Sequence, residues 1–336
     1  MSKALSVVVP VHDEAPHLEP TLRALVRAVR HSAFDAEVVL VDDGSTDGSA
    51  DVARSALDDA LPLTVLVQSN AGRFEARRAG IAQAQTDLVL LLDGRVRLRP
   101  QSLAFAHHRV AEGEVVWNGH VHVELAGNPY GAFSNVLVEL AWREYFDDPR
   151  TTSYGVDEFD RFPKGTTCFL APRELLMRAM EAFESHYEDP RLANDDTPVL
   201  RWIAEHERIH LSPSFACDYR PRSSLGSFLR HSFHRGTVFL DGHGRPESRF
   251  FPAVLAFYPT SAGLALLAAR RPSLVPALGF GVAVAAAGVA RMTGRSAFEA
   301  TSFGALAPIY AVAHGAGMWR GLALMSTSSK QRRSAP

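Results

Sequence analysis

The chain has 336 residues, of which 46% are hydrophobic and 21% are charged, and its formal net charge is -2. This length suits one large or two modest domains, and near-neutrality argues against a nucleic-acid binder, whose binding face is normally strongly basic. The two cysteines, Cys168 and Cys217, have neither metal-site nor disulfide-framework spacing, which fits a reducing compartment. The apolar run at the N-terminus is too short for a signal peptide, so we expect a catalytic part to stay in the cytosol.

Strand and helix signals alternate through the first hundred residues. Apolar, β-branched runs predict strands at Leu5–Val11, Glu37–Asp43, 61–68 and 87–93. Apolar residues at helical spacing predict helices that begin at Pro20, after "GSTDGS" and at Arg73. This alternation indicates βαβ units and a mostly parallel sheet, in which ligands bind at the carboxyl ends of strands. The polar residues expected at that edge are His12, Asp13, Glu14, Asp42, Asp43, Asn70 and Asp93.

The pattern is looser after residue 100. "EVVWNGHVHVEL" alternates as an exposed or edge strand does, "KGTTCFLAPRELLMRAM" predicts a strand, a proline turn and a helix, and "NDDTPVLRWIAEH" places two acids at a helix start. The strand "RIHLSPSFAC" and a basic segment with several histidines follow. The pairs His120/His122 and His231/His234 have no third ligand at a useful spacing, which argues against zinc.

From Phe251 the chain contains three nearly uncharged stretches, "FPAVLAFYPTSAGLALLAA", "SLVPALGFGVAVAAAGVA" and "FGALAPIYAVAHGAGMWRGLALM". Each is close to the roughly 20 residues that cross a bilayer, which predicts membrane association; the alternative is a buried helical subdomain. Flanking arginines lie on alternate sides, so two spans with an interfacial helix and three spans both stay open. The predicted domains are a catalytic domain at 1–225, a basic interfacial linker at 226–250, hydrophobic helices at 251–325 and a disordered basic tail at 326–336.

Four motifs, "SVVVPVHDE", "VVLVDDGSTDGS", "NAGRFEARRAGI" and "LLDGRV", follow one another in the order and spacing of family 2 glycosyltransferases. The usual forms in that family are V-P-x-x-N-E, V-D-D-G-S-x-D, A-R-N-x-G and D-x-D. "GTTCFLAPRELL" and "NDDTPVLRWI" resemble the acceptor-side strand and the E-D-x-x-L helix. The resemblance covers roughly Ser6 to Gly236 and implies a GT-A fold, an α/β structure with a mostly parallel sheet flanked by helices. The hydrophobic tail is similar to that of membrane-attached members acting in cell-envelope polysaccharide or glycolipid assembly.

The resemblance implies a nucleotide-sugar site on the first three motifs. Carboxylates at a strand end, Asp42 and Asp43, can accept the N–H donors of a base; the alternative is a turn and helix cap with Ser45 and Asp47. Pro10, Val11 and Glu14 would line the base and ribose, and Ser45 is expected in the same nucleotide-sugar site. Backbone N–H groups and cationic side chains at a helix start would face a diphosphate, and the alternative is a solvated arginine face. The residues implied there are Asn70, Arg73 and Arg77, while Arg78 replaces the asparagine of the family.

The fourth motif departs from the family at Arg95. Family members hold Mg²⁺ or Mn²⁺ with the last acid of D-x-D, and the metal neutralises charge on the leaving diphosphate. An arginine cannot be a metal ligand. Three alternatives stay open: Arg95 or Arg97 provides the positive charge through bidentate hydrogen bonds, Asp93 holds a metal with an outside ligand, or the protein is inactive. Mg²⁺ or Mn²⁺ is therefore a conditional cofactor.

On the acceptor side, the resemblance makes Asp196 the base that takes the proton of an acceptor hydroxyl, with Asp195 as a neighbour that raises its pKa. The alternative is N-capping of the helix that begins near Thr197. Contact with a phosphate or a lipid phosphate is expected from Arg230, His234 and Arg235, and an amphipathic interfacial helix explains the same residues.

The function implied is sugar transfer, with inversion, from a nucleoside-diphosphate sugar to a hydroxyl of a lipid-linked or membrane-proximal glycan. We expect it at the cytoplasmic face of the cell membrane, with no nucleic-acid partner. The alternative is a non-catalytic protein that binds a nucleotide sugar or a partner at the membrane. A soluble nucleotidyltransferase fits less well, because "VHDEAPH" lacks the glycine-rich, lysine-bearing phosphate loop of that class.

Overall fold

The computed structural model describes residues 4–125, 127–194 and 196–334, with side chains described as far as Ser326. The chain forms two compact units. The first contains Met1–His122, Glu144–Glu184 and Asp189–Arg220, and the second contains Val123–Arg143, Ser185–Glu188 and Pro221–Pro336. The second unit thus includes three segments, 123–143, 185–188 and 221–225, from the part of the chain that the sequence assigns to a catalytic domain.

A nine-stranded sheet forms the centre of the first unit, with the order β3-β2-β1-β4-β8-β6-β9-β5 and β7 paired to β9. The β1–β2, β2–β3 and β1–β4 pairs are parallel, as predicted, whereas β8 pairs antiparallel with β4 and β6, and β9 pairs antiparallel with β5 and β7. The strands are β1 Ala4–Val11, β2 Asp35–Asp43, β3 Leu63–Gln68, β4 Leu88–Leu92, β5 Val96–Leu98, β6 Trp117–Val123, β7 Thr152–Tyr154, β8 Cys168–Pro172 and β9 Ile209–Tyr219.

Helices cover both faces of this sheet. They are α1 Ala15–Arg30, α2 Ser49–Leu57, α3 Arg73–Gln83, α4 Ser102–Ala111, α7 Arg173–Glu181 and α8 Asp196–His206, with the short α6 Arg143–Phe146 at the boundary of the units. Alternate residues of β1 enter two cores because successive side chains of a strand point to opposite faces. Val7 and Val9 pack with α1, α2 and α4, while Val8 packs with α3, α7 and α8.

Two predicted elements differ from the structure. The first helix begins at Ala15 rather than at Pro20, and Pro20 lies inside it. The segment predicted as an exposed or edge strand, β6, lies inside the sheet between β8 and β9. Asn118 and His120 of this strand are buried and have hydrogen-bond partners: Asn118 Nδ2 donates to the Pro163 carbonyl at 3.2 Å, and His120 Nδ1 lies 2.7 Å from the Tyr145 hydroxyl. Alternating polarity in this strand therefore reflects paired polar groups and not exposure to solvent.

The second unit is helical, with α5 Pro129–Ala141, α9 Leu225–His243, α10 Phe251–Arg270, α11 Val275–Met292 and α12 Ala297–Ser334. Two segments, Phe251–Arg270 and Pro272–Met292, are long and apolar enough to cross a membrane, and only 6% of the most apolar 18-residue window of each is buried within the protein. The helices of a soluble core would be mostly buried. The third apolar stretch lies in α12, which contains Pro308 and includes the backbone of residues 326–334, where the sequence predicts a disordered tail.

Candidate active site

The carboxylate of Asp43, at the end of β2, organises the loop that follows β3. It accepts hydrogen bonds from Gln68 Nε2 at 2.7 Å and from the backbone N–H groups of Ala71 and Gly72 at 2.8 Å each. Gly72 has φ +92° and ψ 164°, a conformation that essentially only glycine adopts. A Cβ at this position would lie 2.6 Å from the Cα of Arg191. Asp43 therefore positions the start of α3 and its arginines.

The loop after β1 is bonded to the "DDGSTDGS" turn. Asp42 accepts a hydrogen bond from the Ser45 N–H at 2.7 Å, and the Ser45 hydroxyl accepts one from the Asp13 N–H at 3.1 Å. The carboxylate of Asp47 accepts from Ala15 N at 2.8 Å and from the hydroxyl of Ser49, the first residue of α2. The alternative assignment of this motif, a turn with a polar helix start, thus accounts for the protein contacts of Asp42 and Asp47 and leaves nucleotide binding as a prediction.

The structure brings the polar ends of β1, β2 and β3 together, as their positions in sequence predict. His12 Nδ1 lies 2.9 Å from the Asp43 carbonyl oxygen, and Asn70 Nδ2 lies 3.1 Å from His12 Nε2. Pro10 and Val11 are the last two residues of β1; Pro10 is half-buried and Val11 is buried. They pair with Val41 and Asp42 of the neighbouring strand.

Arg77 joins two aspartates at the centre of the site. Its side chain is buried, its Nη2 lies 2.8 Å from Oδ1 of Asp93, and its Nη1 lies 3.5 Å from Oδ1 of Asp196. Asp93 follows β4 and Asp196 begins α8, so this guanidinium connects the expected donor side with the expected acceptor side. Arg73, one turn earlier on α3, is half-exposed and contacts the other oxygen of Asp196 at 3.4 Å.

Asp196 is strongly held as a carboxylate. Besides the two arginines, the hydroxyl and the backbone N–H of Thr166 donate to its Oδ1, the latter at 3.2 Å. Burial by itself would raise the pKa of Asp196, but Arg73, Arg77 and the Thr166 hydrogen bonds outweigh it and hold this pKa well below its usual range. A base that is so well stabilised has little tendency to accept a proton while these contacts persist.

Arg95, at the position where the family pattern has its last acid, is paired with Glu14 of the first loop. Its Nε donates to Oε1 of Glu14 at 2.9 Å and lies 2.7 Å from Oε2, with both side chains 19% exposed. Glu14, expected to contact the donor base or ribose, therefore has a protein partner in this structure.

Comparison with known proteins finds similarity in sequence and in fold. Residues 6–150 match the family model described as Glycosyl transferase family 2. Residues 6–150 therefore resemble a family 2 glycosyltransferase domain, and they make up less than half of the chain. An "Undecaprenyl-phosphate 4-deoxy-4-formamido-L-arabinose transferase" of Pseudomonas aeruginosa is 34% identical over 140 residues, 41% of each chain. A protein of the same description from Serratia proteamaculans is 35% identical over 103 residues, 30% of this chain and 32% of that one. The chain thus spans less than half the length of the curated relatives it matches.

Solved glycosyltransferases show that the family 2 domain belongs to a GT-A structure, as predicted. Residues 1–349 of Staphylococcus aureus TarS in complex with UDP have a TM-score of 0.51 and 17% identity, covering 100% of this chain and 92% of that chain. The mannosyltransferase PcManGT from Pyrobaculum calidifontis, in complex with GDP-Man and Mn²⁺, has a TM-score of 0.51 and 19% identity, covering 98% of this chain and 87% of that chain. At these identities the likeness shows the fold alone.

The side chains at the end of β4 in the family 2 domain do not fit a divalent cation. Asp93 is already bonded to Arg77, and the second position that would provide a carboxylate oxygen is Arg95. Mg²⁺ and Mn²⁺ bind oxygen ligands, and a guanidinium has none. Within residues 4–125, 127–194 and 196–334, no group of three or more histidine, cysteine or acidic side chains is placed to hold a metal.

Four residues near the carboxyl edge of the sheet have no predicted role from the sequence. Thr166 is a buried partner of Asp196, and its only signal in the sequence is its place before β8. β6 runs in the same direction as β4, since both are antiparallel to β8, so its carboxyl end brings His120 to the ligand edge of the sheet. Arg220 and His17 lie beside Arg95 and Arg97 in a small crevice. Only the tertiary fold places these side chains near the site.

The predicted phosphate contacts and the second predicted acid of the acceptor side remain to be located. Arg230, His234 and Arg235 are on α9 in the second unit, where Arg230 Nη2 donates to the Ser227 hydroxyl at 3.3 Å. Their expected contact with phosphate or lipid phosphate stays a prediction. Asp195, the expected neighbour of the base, lies outside the described residues.

Proposed function

We propose that this protein is a glycosyltransferase that moves a sugar from a nucleoside-diphosphate sugar to a lipid-linked acceptor at a membrane. The observation that carries the proposal is the Arg77 bridge between Asp93 and Asp196, at the carboxyl edge of a sheet whose first six strands lie in the part of the chain that matches family 2. A donor phosphate and an acceptor oxygen have to meet in a site with fixed charges of this kind.

Three features support the donor and acceptor classes. TarS and PcManGT, which share the fold, were solved with UDP and with GDP-Man. The curated relatives are named as transferases to undecaprenyl phosphate. Two apolar helices follow the domain and leave most of their surface outside the protein, as helices in contact with lipid do. A site on the cytoplasmic side, where nucleotide sugars are made, belongs to the same proposal.

Transfer with inversion takes place by a single displacement. The acceptor oxygen forms a bond to the anomeric carbon, the bond from that carbon to the diphosphate oxygen breaks, and the nucleoside diphosphate leaves with the electron pair. If the acceptor is a hydroxyl, Asp196 takes its proton, which requires the acceptor to displace Arg73 or Thr166 from the carboxylate. Arg77 then holds Asp93 and Asp196 in position while charge develops on the leaving group.

The pairing of Asp196 favours a second candidate for the acceptor, a phosphate monoester of a lipid. A phosphate oxygen is already deprotonated at neutral pH and needs no base. Arg73, which is half-exposed, would then contact the acceptor phosphate, and Asp196 would position Arg73 and Arg77 without taking a proton.

The test is transfer by the detergent-solubilised full chain from a panel of UDP- and GDP-sugars to a short polyprenyl phosphate and to the matching polyprenol, with products identified by mass spectrometry. A glycosylated lipid supports the proposal, and the product that forms separates the phosphate from the hydroxyl acceptor. Asp196→Asn should abolish hydroxyl transfer, with the surface variant Asp148→Asn as the matched control. Nucleotide binding without turnover for every donor and acceptor would instead support the non-catalytic alternative.

A further inference from the structure

A groove between α9 and α12 of the second unit is lined by apolar side chains. It has a volume of about 400 Å³. One wall is Leu229 of α9, and the other consists of four residues of α12: Pro308, Ile309, Val312 and Ala313. Ile309 and Val312 are 39% and 75% exposed, so the groove is open to the surroundings of the protein.

The packing of the two helices explains why the groove opens at this place. Further along α9 and α12 the backbones touch, because a Cβ on Gly236 would collide with the backbone of α12 and one on Gly317 with the backbone of α9. Around Leu229 and Ile309, side chains separate the helices instead. The glycine contact therefore closes one end of the helix pair and leaves a fixed apolar groove at the other.

Apolar residues continue from the groove along one face of each helix to a single arginine. On α9, Phe233 lies one turn beyond Leu229 and is 36% exposed. On α12, Ala313, Ala316 and Arg320 follow one another at intervals of three and four residues and so share a face. The two faces meet where the Arg320 guanidinium lies 5.8 Å from the centre of the Phe233 ring.

Arg320 is an isolated charge in an apolar stretch. It is the only aspartate, glutamate, lysine or arginine between Glu299 and Lys330. Its side chain is exposed, and its neighbours in the described part of the chain are the Phe233 ring and the Tyr187 phenol, with no carboxylate paired to it. A charge in a segment that contacts lipid is costly and normally faces a partner or a ligand. Because a guanidinium has paired N–H donors that match phosphate oxygens, a lipid phosphate fits this position.

We propose that the groove between α9 and α12 holds the isoprenoid chain of a lipid monophosphate and that Arg320 binds its phosphate. The inference rests on the proposed function, since this lipid is the acceptor of that reaction. From Ala313 to Arg320 the helix rises by about 10 Å, so the first part of the chain lies along Phe233 and Ala316 and the next part lies in the groove. One groove that leads to one cation suits a lipid with one chain and one phosphate better than a phospholipid with two chains.

The test is the binding of farnesyl phosphate to the full chain in phosphatidylcholine nanodiscs, measured by isothermal titration calorimetry against empty nanodiscs. Arg320→Gln should raise the Kd for farnesyl phosphate by about tenfold or more, because a charge-assisted contact is lost. Farnesol has no phosphate and should bind equally weakly to the wild type and to this variant. Val312→Trp fills the groove and should raise the Kd for farnesyl phosphate to a similar extent.

Two matched controls change exposed residues outside α9 and α12. They are Arg271→Gln, after α10, and Val284→Trp, on α11. Each should change the Kd for farnesyl phosphate by less than about twofold, since surface substitutions away from a site have small effects.

Unchanged binding in both Arg320→Gln and Val312→Trp would overturn the site, and loss in Arg320→Gln alone would reject the groove. Equal competition by dodecyl phosphate or phosphatidic acid would reject the isoprenoid, because the site would then accept any anionic lipid. Val312 is exposed, so its variant keeps the test valid even if Arg320→Gln does not fold. Binding that both variants lose, without sugar transfer by the wild type to any acceptor, counts against the proposed function alone. Transfer to a polyprenyl phosphate that both variants retain counts against the groove alone.

Discussion

Arg77 Nη2 and Asp93 Oδ1 lie 2.8 Å apart, and the arginine side chain is completely buried. A buried guanidinium without a carboxylate partner would cost several kcal/mol, so each member of this pair requires the other. The same arginine reaches Asp196 at 3.5 Å. Binding geometry and stability are therefore coupled at this residue, since the contacts that position the two aspartates also hold α3 against β4 and α8.

Replacement of Arg77 by methionine should lower the free energy of unfolding by about 3 to 5 kcal/mol, because it leaves Asp93 and Asp196 without their shared cation. Urea denaturation followed by circular dichroism measures the change. The neighbouring Arg78 is a control, because its pair with Glu75 is exposed, and Arg78→Gln should change stability by less than about 1 kcal/mol. A loss below 1 kcal/mol for Arg77→Met would contradict this account of the buried pair.

Alanine at Gly72 should lower the free energy of unfolding by roughly 2 to 4 kcal/mol. The new methyl group meets the Arg191 backbone at 2.6 Å and forces a conformation that suits only glycine. Gly48→Ala is the matched control, since its φ is +79° but nothing lies within 4 Å, and about 1 kcal/mol is expected. Equal losses in the two variants would show that the contact with Arg191 is unimportant.

Stability should fall as pH decreases from 6.5 towards 4, partly because of His120. Burial, followed by His122 and Arg99, lowers the pKa of His120 to about 4. The unfolded chain takes up this proton near pH 6.5 and the folded protein only near 4, so the contribution is complete above 6.5 and is lost between the two values. The difference from 6.5 to about 4 corresponds to about 3 kcal/mol.

Urea midpoints measured from pH 7.5 to 4.5 test this expectation. His120→Gln should flatten the dependence, and the exposed control His108→Gln should leave it unchanged. An identical slope in wild type and His120→Gln would refute the assignment to His120.

The rate of sugar transfer should show no ionisation of Asp196 between pH 5 and 9. Arg73, Arg77 and Thr166 overcome the effect of burial and keep the pKa of this carboxyl well below that range, so it stays ionised throughout. A pH–rate profile of the wild type and of Asp196→Glu is the measurement. An acid limb above pH 5 that moves in the glutamate variant would mean that substrate binding removes the arginines and restores an ordinary base.

The protein should remain with membranes after washing with carbonate at pH 11. The apolar surfaces of α10 and α11 are exposed and uncharged along most of their length, and burying them in lipid provides the hydrophobic free energy for insertion. Sedimentation of washed membranes and immunoblotting measure this. Release by 1 M NaCl alone would indicate electrostatic binding at the surface instead.

The sequence by itself determined the first four parallel strands and the resemblance to family 2 glycosyltransferases. Apolar runs such as Leu5–Val11 are long and β-branched, so burial between two helical layers is the only arrangement that removes them from water. Motif order then indicated the sheet edge at which Asp43, Asn70 and Asp93 lie. Composition also indicated apolar helices after residue 250, in three stretches, and the structure shows that two of them are long, apolar and mostly unburied.

Only the tertiary structure decided which charges face one another. Arg77 and Asp196 are 119 residues apart and Glu14 and Arg95 are 81 apart, and no local pattern pairs them. Likewise, β6 alternates like an exposed strand, yet Asn118 and His120 are buried because partners from distant segments satisfy them. Hydrophobic burial follows local periodicity, whereas ion pairs and polar contacts depend on how the strands are ordered in space.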